Sequence, residues 1–300
     1  MKKDLAKHVI SLVLFGLNGI IASRISVNSY DIVLTRTALG SLFLVALFLL
    51  TKNKFTFFKH KKSLLFLALS GISMGFSWMC LYSAYARIGV SIATLTYYFG
   101  PIIVIMLSPL LFKEKLTPFK LIGFALVLAG VILINANFSG EKINAVGVTF
   151  AILSAVTYSL MVIFNKKATA IEGLENATLQ LVISFITVAI FVGIKQGFNI
   201  PFVKGDILPV LVLGLINTGL GCYLYFTSIG SLNASTVSVC GYIEPLCAVL
   251  FSVLLLGENM SVIQIIGAVL IIGGAIVAER LSFKRKRNDN QSCDQQKTEV

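Results

Sequence analysis

This chain repeats part of itself: residues 81–130 read LYSAYARIGVSIATLTYYFGPIIVIMLSPLLFKEKLTPFKLIGFALVLAG, and residues 225–274 read YFTSIGSLNASTVSVCGYIEPLCAVLFSVLLLGENMSVIQIIGAVLIIGG. A shift of 144 positions aligns the two segments without a gap and gives eleven identities in fifty. Apolar composition produces chance matches of Leu and Ile, but the identities here include rarer residues, and we infer an ancestral duplication. The telling pairs are Tyr98 and Tyr242, Pro101 and Pro245, Glu114 and Glu258, Gly123 and Gly267, and Gly130 and Gly274.

The composition around this repeat is that of a membrane protein. Of the 300 residues 57% are hydrophobic and 13% charged, whereas soluble domains carry about 25% charged residues. A helix that crosses a bilayer needs about 20 mostly apolar residues. The polar segments are too short to bury a core, which excludes a globular enzyme or a nucleic-acid-binding module. Ten spans are predicted, approximately at residues 8–23, 31–50, 63–86, 91–112, 119–136, 145–164, 176–194, 207–229, 234–256 and 262–278.

The number of spans and the distribution of charge predict the topology. Five spans per repeat is an odd number, so the second copy enters the membrane from the opposite side. With the N-terminus inside, nineteen Lys and Arg residues fall on the cytoplasmic side and five outside, as the positive-inside rule requires. We predict an all-α integral membrane protein of ten transmembrane helices in two inverted five-helix repeats, residues 1–137 and 138–281. It is expected in the cell membrane with both termini cytoplasmic, followed by a basic, disordered tail at residues 282–300.

The net charge, the cysteines and the histidines indicate which cofactors and binding partners to expect. A net charge of +12 is explained by this topology and does not indicate nucleic acid. Four of the five cysteines lie in apolar stretches, where we expect them to pack as small hydrophobic residues. His8 and His60 lack zinc-ligand spacing to any cysteine pair, and no nucleotide-binding loop is present. We therefore expect no metal and no cofactor, and as partners the lipid bilayer, a small-molecule substrate and protons as a candidate coupling ion.

Several motifs follow one another in a defined order along the chain. They are Phe15-Gly16-Leu17-Asn18 in span one, Arg36 near the start of span two, Gly100-Pro101 and Glu244-Pro245 in spans four and nine, and glycine-rich spans five and ten. In this order, over nearly the whole chain, they resemble the ten-helix EamA-type carriers of the drug/metabolite transporter superfamily. The resemblance implies proton-driven or exchange-driven movement of amino acids, amines or related metabolites, frequently outward.

Three polar residues lie near the middle of the membrane. Asn18, Asn217 and Glu244 each stand ten residues into a span, about 15 Å deep at a rise of about 1.5 Å per residue, which predicts a cavity at that depth. An ionisable group there costs about 3 kcal/mol or more unless it is paired or hydrated. Glu244 is therefore predicted either to couple protons or bind a cationic substrate, or, as the structural alternative, to hydrogen-bond a neighbouring helix in its protonated form beside Pro245.

Other candidate residues lie around this depth. Arg36 is close enough to the outer edge of span two to reach the interface by snorkelling; the alternative is a gate or a charge that faces an anion. Aromatic side chains offer a wall for an apolar or cationic substrate, and two prolines predict matched hinges. The aromatic candidates are Trp78, Tyr82, Tyr98 and Tyr158, and the hinge candidates are Pro101 and Pro245.

We expect structural roles, rather than roles in substrate binding, for two glutamates at helix ends and for the glycines of spans five and ten. Glu114 and Glu258 are expected to contact loop groups for stability. Glycines suit spans five and ten to close helix contact, either within one chain or between two, so both a monomer and a homodimer remain open. These glycines are Gly123, Gly130, Gly267, Gly273 and Gly274.

The leading functional prediction is a secondary transporter for a small metabolite, with amino-acid export favoured. Import by the same fold is the first alternative, because no residue specifies direction. An intramembrane lipid-modifying enzyme would need clustered acids with a metal, or a histidine beside a nucleophile, and a channel would need a pore-lining ring. Neither pattern occurs in the sequence.

Overall fold

The computed structural model describes residues 2–52, 54–114, 117–134 and 144–256, and residues 262–263, 265–267, 269–274 and 277 of the last helix. These residues form helices joined by short turns and contain no strand, which confirms the all-α class. The helices are α1 Lys2–Gly16, α2 Asn18–Ala22, α3 Ser29–Leu50, α4 Lys61–Tyr97, α5 Phe99–Phe112, α6 Pro118–Ile134, α7 Ala145–Lys167, α8 Gly173–Lys195, α9 Ile207–Leu211, a π-helix Val212–Leu220, α10 Gly221–Ile229, α11 Ala234–Cys240, α12 Ile243–Leu256 and α13 Ile265–Gly274.

The helices have the lengths that a membrane requires. Six helical runs within the described residues are long and apolar enough to cross it, and three shorter apolar helices accompany them. Large apolar side chains such as Leu42, Leu110 and Ile194 are 66%, 80% and 85% exposed, as expected of surfaces that face lipid. The chain is therefore a multi-pass membrane protein. The six runs are Lys2–Ala22, Ser29–Leu50, Lys61–Ile88, Ala145–Lys167, Gly173–Lys195 and Lys204–Ile229, and the shorter helices are Phe99–Phe112, Pro118–Gly130 and Ile265–Gly274.

Two helix breaks lie one turn before a proline. α4 ends at Tyr97 and α5 begins at Phe99, two residues before Pro101; the gap between α11 and α12 lies four and three residues before Pro245. Proline has no N–H, so the carbonyl four residues earlier loses its helical hydrogen bond. The sequence predicted a loop between spans three and four, at residues 87–90. The structure continues α4 as a helix through these residues and breaks at Tyr98, inside predicted span four, although the run that is apolar enough to cross a membrane ends at Ile88. The ninth span was predicted as continuous and is divided.

Spans one and eight also depart from regular α-helix. The first is interrupted at Leu17, between α1 and α2, and the eighth contains the nine-residue π-helix. Asn217 in the π-helix donates from Nδ2 to the carbonyl oxygen of Leu14 at 2.7 Å, and the same oxygen accepts from the Leu17 N–H at 3.0 Å, so the interruption of span one contacts the π-helix of span eight. The sequence predicted both spans as continuous helices.

Close helix crossings recur in pairs that follow the 144-residue shift. A Cβ added to Gly75 on α4 would lie 3.0 Å from the Cβ of Thr187 on α8; one added to Gly219 in the π-helix would lie 2.7 Å from Cδ1 of Phe43 on α3. Gly219 is the shifted partner of Gly75, and Thr187 is that of Phe43. These two contacts therefore join positions that exchange under the 144-residue shift.

The glycines of α6 and α13 make a second exchanged pair. A Cβ on Gly130 would lie 2.5 Å from the carbonyl oxygen of Gly267, and one on Gly274 would lie 2.5 Å from that of Gly123. These four predicted contact glycines therefore serve packing within one chain. Gly273 has no atom within 4 Å of its added Cβ.

One predicted helix-end contact is present. Both carboxylate oxygens of Glu114 accept hydrogen bonds from the start of α11: Oε1 from the Ala234 N–H at 2.6 Å, and Oε2 from the Ser235 hydroxyl at 2.6 Å. Glu114 thus satisfies amide groups that begin a helix and have no partner within it. Glu258 and the predicted tail at residues 282–300 lie outside the described residues.

Candidate functional site

Arg36 lies in the interior of the bundle. Its side chain leaves α3 toward the π-helix, is 4% exposed, and donates from Nε to Oγ1 of Thr218 at 2.9 Å. The guanidinium carbon stands 4.9 Å from the ring centroid of Trp78 on α4, a cation–π contact. The snorkelling alternative is therefore wrong, because Thr218 and Trp78 hold the charge inside the protein.

The π-helix helps to place the acceptor of this bond. Thr218 donates its own hydroxyl hydrogen to the carbonyl oxygen of Leu213, five residues earlier, at 2.8 Å, so its oxygen lone pairs remain free for Arg36. The shifted equivalent of this contact joins Gln180 on α8 to Met74 on α4, with Nε2 3.9 Å from Sδ. The same position of the fold thus carries a guanidinium in one half and a neutral amide in the other.

Asn18 and Asn217, which the sequence places at the same depth, lie within hydrogen-bond distance of each other. Asn217 donates from Nδ2 to Oδ1 of Asn18 at 3.1 Å, and Asn217 itself is 1% exposed. This bond joins the start of α2 to the π-helix, so each interrupted span supplies an amide to the other.

Glu244 stands in the first turn of α12, directly before Pro245, and its side chain is partly exposed. Its backbone oxygen lies 3.0 Å from the Cβ position of Gly16, which sets it beside α1. Within the described part of the chain, neither carboxylate oxygen of Glu244 has a hydrogen-bond or ion-pair partner, and neither is closed off from accessible space. Glu244 interacts electrostatically with Arg36, but the two do not form an ion pair within 4 Å.

Three tyrosines, Tyr97, Tyr158 and Tyr225, lie near this carboxylate. Tyr158 on α7 lies over Gly100, where an added Cβ would meet its Cδ1 at 2.7 Å, and its ring centroid is 5.2 Å from that of Tyr97. The Tyr158 hydroxyl is 3.5 Å from the Tyr225 hydroxyl. All three tyrosines interact electrostatically with Glu244. Of these three tyrosines, only Tyr158 was predicted from the sequence as a substrate-binding residue.

The other candidates lie around this group. Tyr98 is 5% exposed and packs with Tyr242, whose ring centroid is 5.9 Å away. Tyr82 packs against Tyr85, with ring centroids 5.3 Å apart. Pro101 lies in the first turn of α5, as Pro245 does in α12.

Some interior polar residues were not nominated from the sequence. Thr218, Asn165 and Asn176 look like ordinary polar residues of a span, and only the packing of α3, α7 and α8 gives them partners. His8 is fully buried, with Nδ1 3.2 Å from the Ser228 hydroxyl. No sequence signal marks Thr218: the 144-residue shift aligns Thr218 with Met74 and Arg36 with Gln180, but it does not show that the members of either pair are in contact.

The described residues contain no cluster of three or more His, Cys, Asp or Glu side chains that could hold a metal ion. Two stretches, residues 6–136 and 145–279, match the model of the EamA-like transporter family, and the chain belongs to that family. It is therefore a membrane transporter rather than an enzyme.

Individual relatives agree with this assignment. The chain is 25% identical over 271 residues to the uncharacterized transporter YxxF of Bacillus subtilis (strain 168), covering 89% of this chain and 86% of that protein. It is 26% identical over 185 residues to an Escherichia coli (strain K12) protein named "Probable amino-acid metabolite efflux pump", covering 58% and 62% of the two chains. A crystal structure at 19% identity superposes with a TM-score of 0.80, covering 93% of this chain and 98% of that chain, and shows a shared fold.

Proposed function

We propose that this protein is a secondary active transporter that exports amino acids, amines or related small metabolites across the plasma membrane by alternating access. The observation that carries the proposal is the pair of interior charges on Arg36 and Glu244. They have opposite signs, interact electrostatically, and are not paired with each other or with another described charge. Uncompensated charge at this depth is costly, and a solute that carries both signs would compensate it.

The chemistry of the two groups favours amino acids within this range of solutes. The planar guanidinium of Arg36 binds a carboxylate well, and Thr218 and Trp78 hold it in place. The carboxylate of Glu244 suits an ammonium group, and the tyrosine faces around it suit the same cation. The name of the Escherichia coli relative supports amino-acid metabolites and the outward direction.

The exchanged contacts support an architecture of ten spans in two inverted repeats, residues 1–137 and 138–281. Contacts at Gly75 and Gly219, and at Gly130 and Gly274, follow a twofold relation, and the family model matches the chain twice. Such halves can exchange conformations around one site. The breaks before Pro101 and Pro245 give each half a matched hinge.

Orientation with both termini in the cytoplasm is part of the proposal. Lys166 supports it, because its Nζ donates to the carbonyl oxygens of Ile229 and Leu232 at the turn after α10. That turn has no positive residue of its own although the topology places it inside. Lys166 therefore brings cationic charge to a cytoplasmic turn that lacks it.

The test is transport by purified protein in proteoliposomes with an imposed pH gradient and radiolabelled amino acids. We expect Glu244→Gln to abolish gradient-driven transport while the protein stays folded and inserted. Glu299→Gln, which removes the same charge from the tail, is the matched control and should transport as the wild type does. Gradient-driven flux that survives in the Glu244→Gln protein would refute proton coupling through this residue. Import, the alternative, predicts accumulation with the opposite gradient requirement.

A further inference from the structure

A cavity of about 670 Å³ opens at one end of the bundle. It lies among the start of α1, the end of α3, the turn between α7 and α8, and the end of α10, and we call it the vestibule. Polar and charged side chains form much of its wall. They include Asp4, Lys54, Thr56, Asn165, Lys166, Thr169, Glu172, Glu175 and Asn176.

Two amides at the inner wall of the vestibule bond to each other. Asn165 on α7 donates from Nδ2 to Oδ1 of Asn176 on α8 at 2.9 Å, and Asn176 returns a bond to Oδ1 of Asn165 at 3.2 Å. Asn165 also donates to Oε1 of Gln180 at 3.3 Å. Since amides exchange such bonds for bonds to water at little net cost, this end of the bundle can be hydrated without penalty.

The opposite end is closed by hydrocarbon. Apolar side chains from α2, the turn after it, α3, α9 and the π-helix pack into one cluster in which Leu213 is 1% exposed and Ile32 6%. We call this cluster the apolar plug. It consists of Ile21, Ala22, Ile25, Val27, Ile32, Leu39, Ile200, Val210 and Leu213.

The vestibule and the apolar plug occupy equivalent positions in the two halves. Ile21 and Ile32 are the partners, 144 positions earlier, of Asn165 and Asn176. Six plug residues have equivalents, 144 positions away, that line the vestibule. In five of these six pairs the plug residue is apolar and its equivalent in the vestibule is polar. The pairs are Ile21 and Asn165, Ala22 and Lys166, Ile25 and Thr169, Val27 and Ile171, Ile32 and Asn176, and Ile200 and Thr56.

A carboxylate fastens the chain that covers the apolar plug. Asp206 accepts from the Ser26 N–H at 2.8 Å and from the Ser26 hydroxyl at 2.7 Å, which ties the turn between α2 and α3 to the start of α9. At the vestibule end, Glu175 on α8 likewise fastens the segment after α3, accepting from the Thr56 N–H and from the Thr56 hydroxyl, each at 2.7 Å. The turn between α7 and α8 donates to the start of α4, from the Ala170 N–H to the Ser63 hydroxyl at 3.2 Å.

We propose that the apolar plug, fastened by Asp206, is the extracellular gate of this transporter and that the vestibule is its cytoplasmic mouth. In this structure the gate is closed and the mouth is open. The proposal rests on the proposed function for the existence and orientation of the two compartments. Opening the plug exposes apolar surface to water, which costs about 25 cal/mol per Å², whereas opening the vestibule wets groups that water can satisfy. The two ends therefore differ in the energy needed to open them, and polar solutes and protons are excluded from the closed end.

The test measures access to the plug by thiol labelling and needs no substrate. A full-length protein without its native cysteines carries Leu213→Cys, and a membrane-impermeant maleimide is added on the extracellular side of intact cells. We expect slow labelling, and about tenfold faster labelling when Ile32→Asn or Asp206→Asn is added. Val192→Cys is the matched site control, because Val192 is equally buried in a neighbouring cluster outside the plug.

Val33→Asn is the matched control for the substitution, since Val33 is buried, adjacent to Ile32 and part of that neighbouring cluster. It should leave the labelling of Leu213→Cys unchanged. Asp206→Asn keeps the plug side chains intact and provides a second route if Ile32→Asn does not fold. Labelling of Leu213→Cys that neither substitution accelerates, or that occurs only from the cytoplasmic side, would overturn the gate. Absence of amino-acid transport in proteoliposomes would instead count against the proposed function. The labelling experiment would still test whether the plug closes this end of the bundle.

Discussion

The hydroxyl of Tyr242 donates a hydrogen bond to the backbone carbonyl oxygen of Tyr98 at 3.0 Å, and the two residues stand 144 positions apart, at the same place in the two repeated segments. In the proposed arrangement of two inverted halves, a residue that contacts its own equivalent lies near the twofold axis that relates them. Both residues also stand at the breaks that precede Pro101 and Pro245. The contact therefore joins the two halves at the points where their helices bend.

The Tyr242 hydroxyl should stabilise this junction. Tyr242 is fully buried, so Tyr242→Phe leaves the Tyr98 carbonyl without this donor and should lower the free energy of unfolding by about 1 kcal/mol. The measurement is thermal unfolding in detergent. Tyr223→Phe is the control, because the Tyr223 hydroxyl has no hydrogen bond to a described residue, and an equal loss in both variants would contradict a specific role for the junction.

Neighbouring glycines of α13 should respond very differently to alanine. Gly274→Ala places a Cβ 2.5 Å from the Gly123 carbonyl oxygen, a backbone atom that cannot rotate away, and we expect a loss of about 1–3 kcal/mol from overpacking. Gly273→Ala meets nothing within 4 Å and should be neutral. Gly130→Ala, at the exchanged position, should repeat the effect of Gly274→Ala. The thermal unfolding midpoint of each purified variant is the measurement, and equal midpoints for the Gly273 and Gly274 variants would refute this packing.

The sequence predicts where the helices lie better than it predicts the breaks within them. Span limits follow from runs of apolar residues, but Arg87 misled the boundary between spans three and four. In the structure Arg87 stays within α4: it donates from Nη1 to the Ser83 carbonyl oxygen at 2.6 Å, and its guanidinium lies 4.9 Å from the Phe150 ring centroid. A charged residue with such partners need not end a helix. The π-helix leaves no mark in hydrophobic periodicity, so Thr218 could not be assigned its role.

In the candidate site, too, the sequence predicts the depth of a residue along its span but not its partners on other helices. Position along the spans placed Asn18 and Asn217 at one depth, but the hydrogen bond between them depends on how the two spans pack, which depth does not determine. The pairing of Arg36 with Trp78 depends on how α3 and α4 lie against each other, which depth does not determine. The buried position of Arg36 likewise depends on an acceptor on the distant π-helix, since a long side chain near a helix end otherwise reaches the interface.

Arg36 should be required for transport. Arg36→Gln installs the residue that the other half carries at this position, Gln180, so we expect it to be tolerated by the fold. The loss of the cation should lower the initial transport rate by about tenfold or more. Arg36→Lys restores charge without the planar group that stacks on Trp78 and should recover only part of the rate.

The rate for Arg36→Gln is compared in proteoliposomes with that for Arg24→Gln, which removes an exposed arginine outside the helices. A thermal unfolding midpoint near that of the wild type separates a functional loss from a misfolded protein. Wild-type transport by the Arg36→Gln variant would exclude Arg36 from solute binding.

Inverted halves should place equivalent residues on opposite sides of the membrane. Lys113 is exposed just after α5, and its partner after 144 residues is Gly257, which lies outside the described residues. In the proposed orientation the loop at Glu114 is cytoplasmic, which agrees with the lysines on either side of Glu114, whereas Gly257 and Asn259 flank Glu258. We therefore expect a cysteine at Lys113 to react with an impermeant maleimide only in inside-out vesicles, and a cysteine at Gly257 only in intact cells. Each variant carries a single cysteine, and labelling after detergent permeabilisation shows that both thiols are reactive. Two cysteines that label from the same side would make the halves parallel, and the alternating exchange of inverted halves would then have no structural basis.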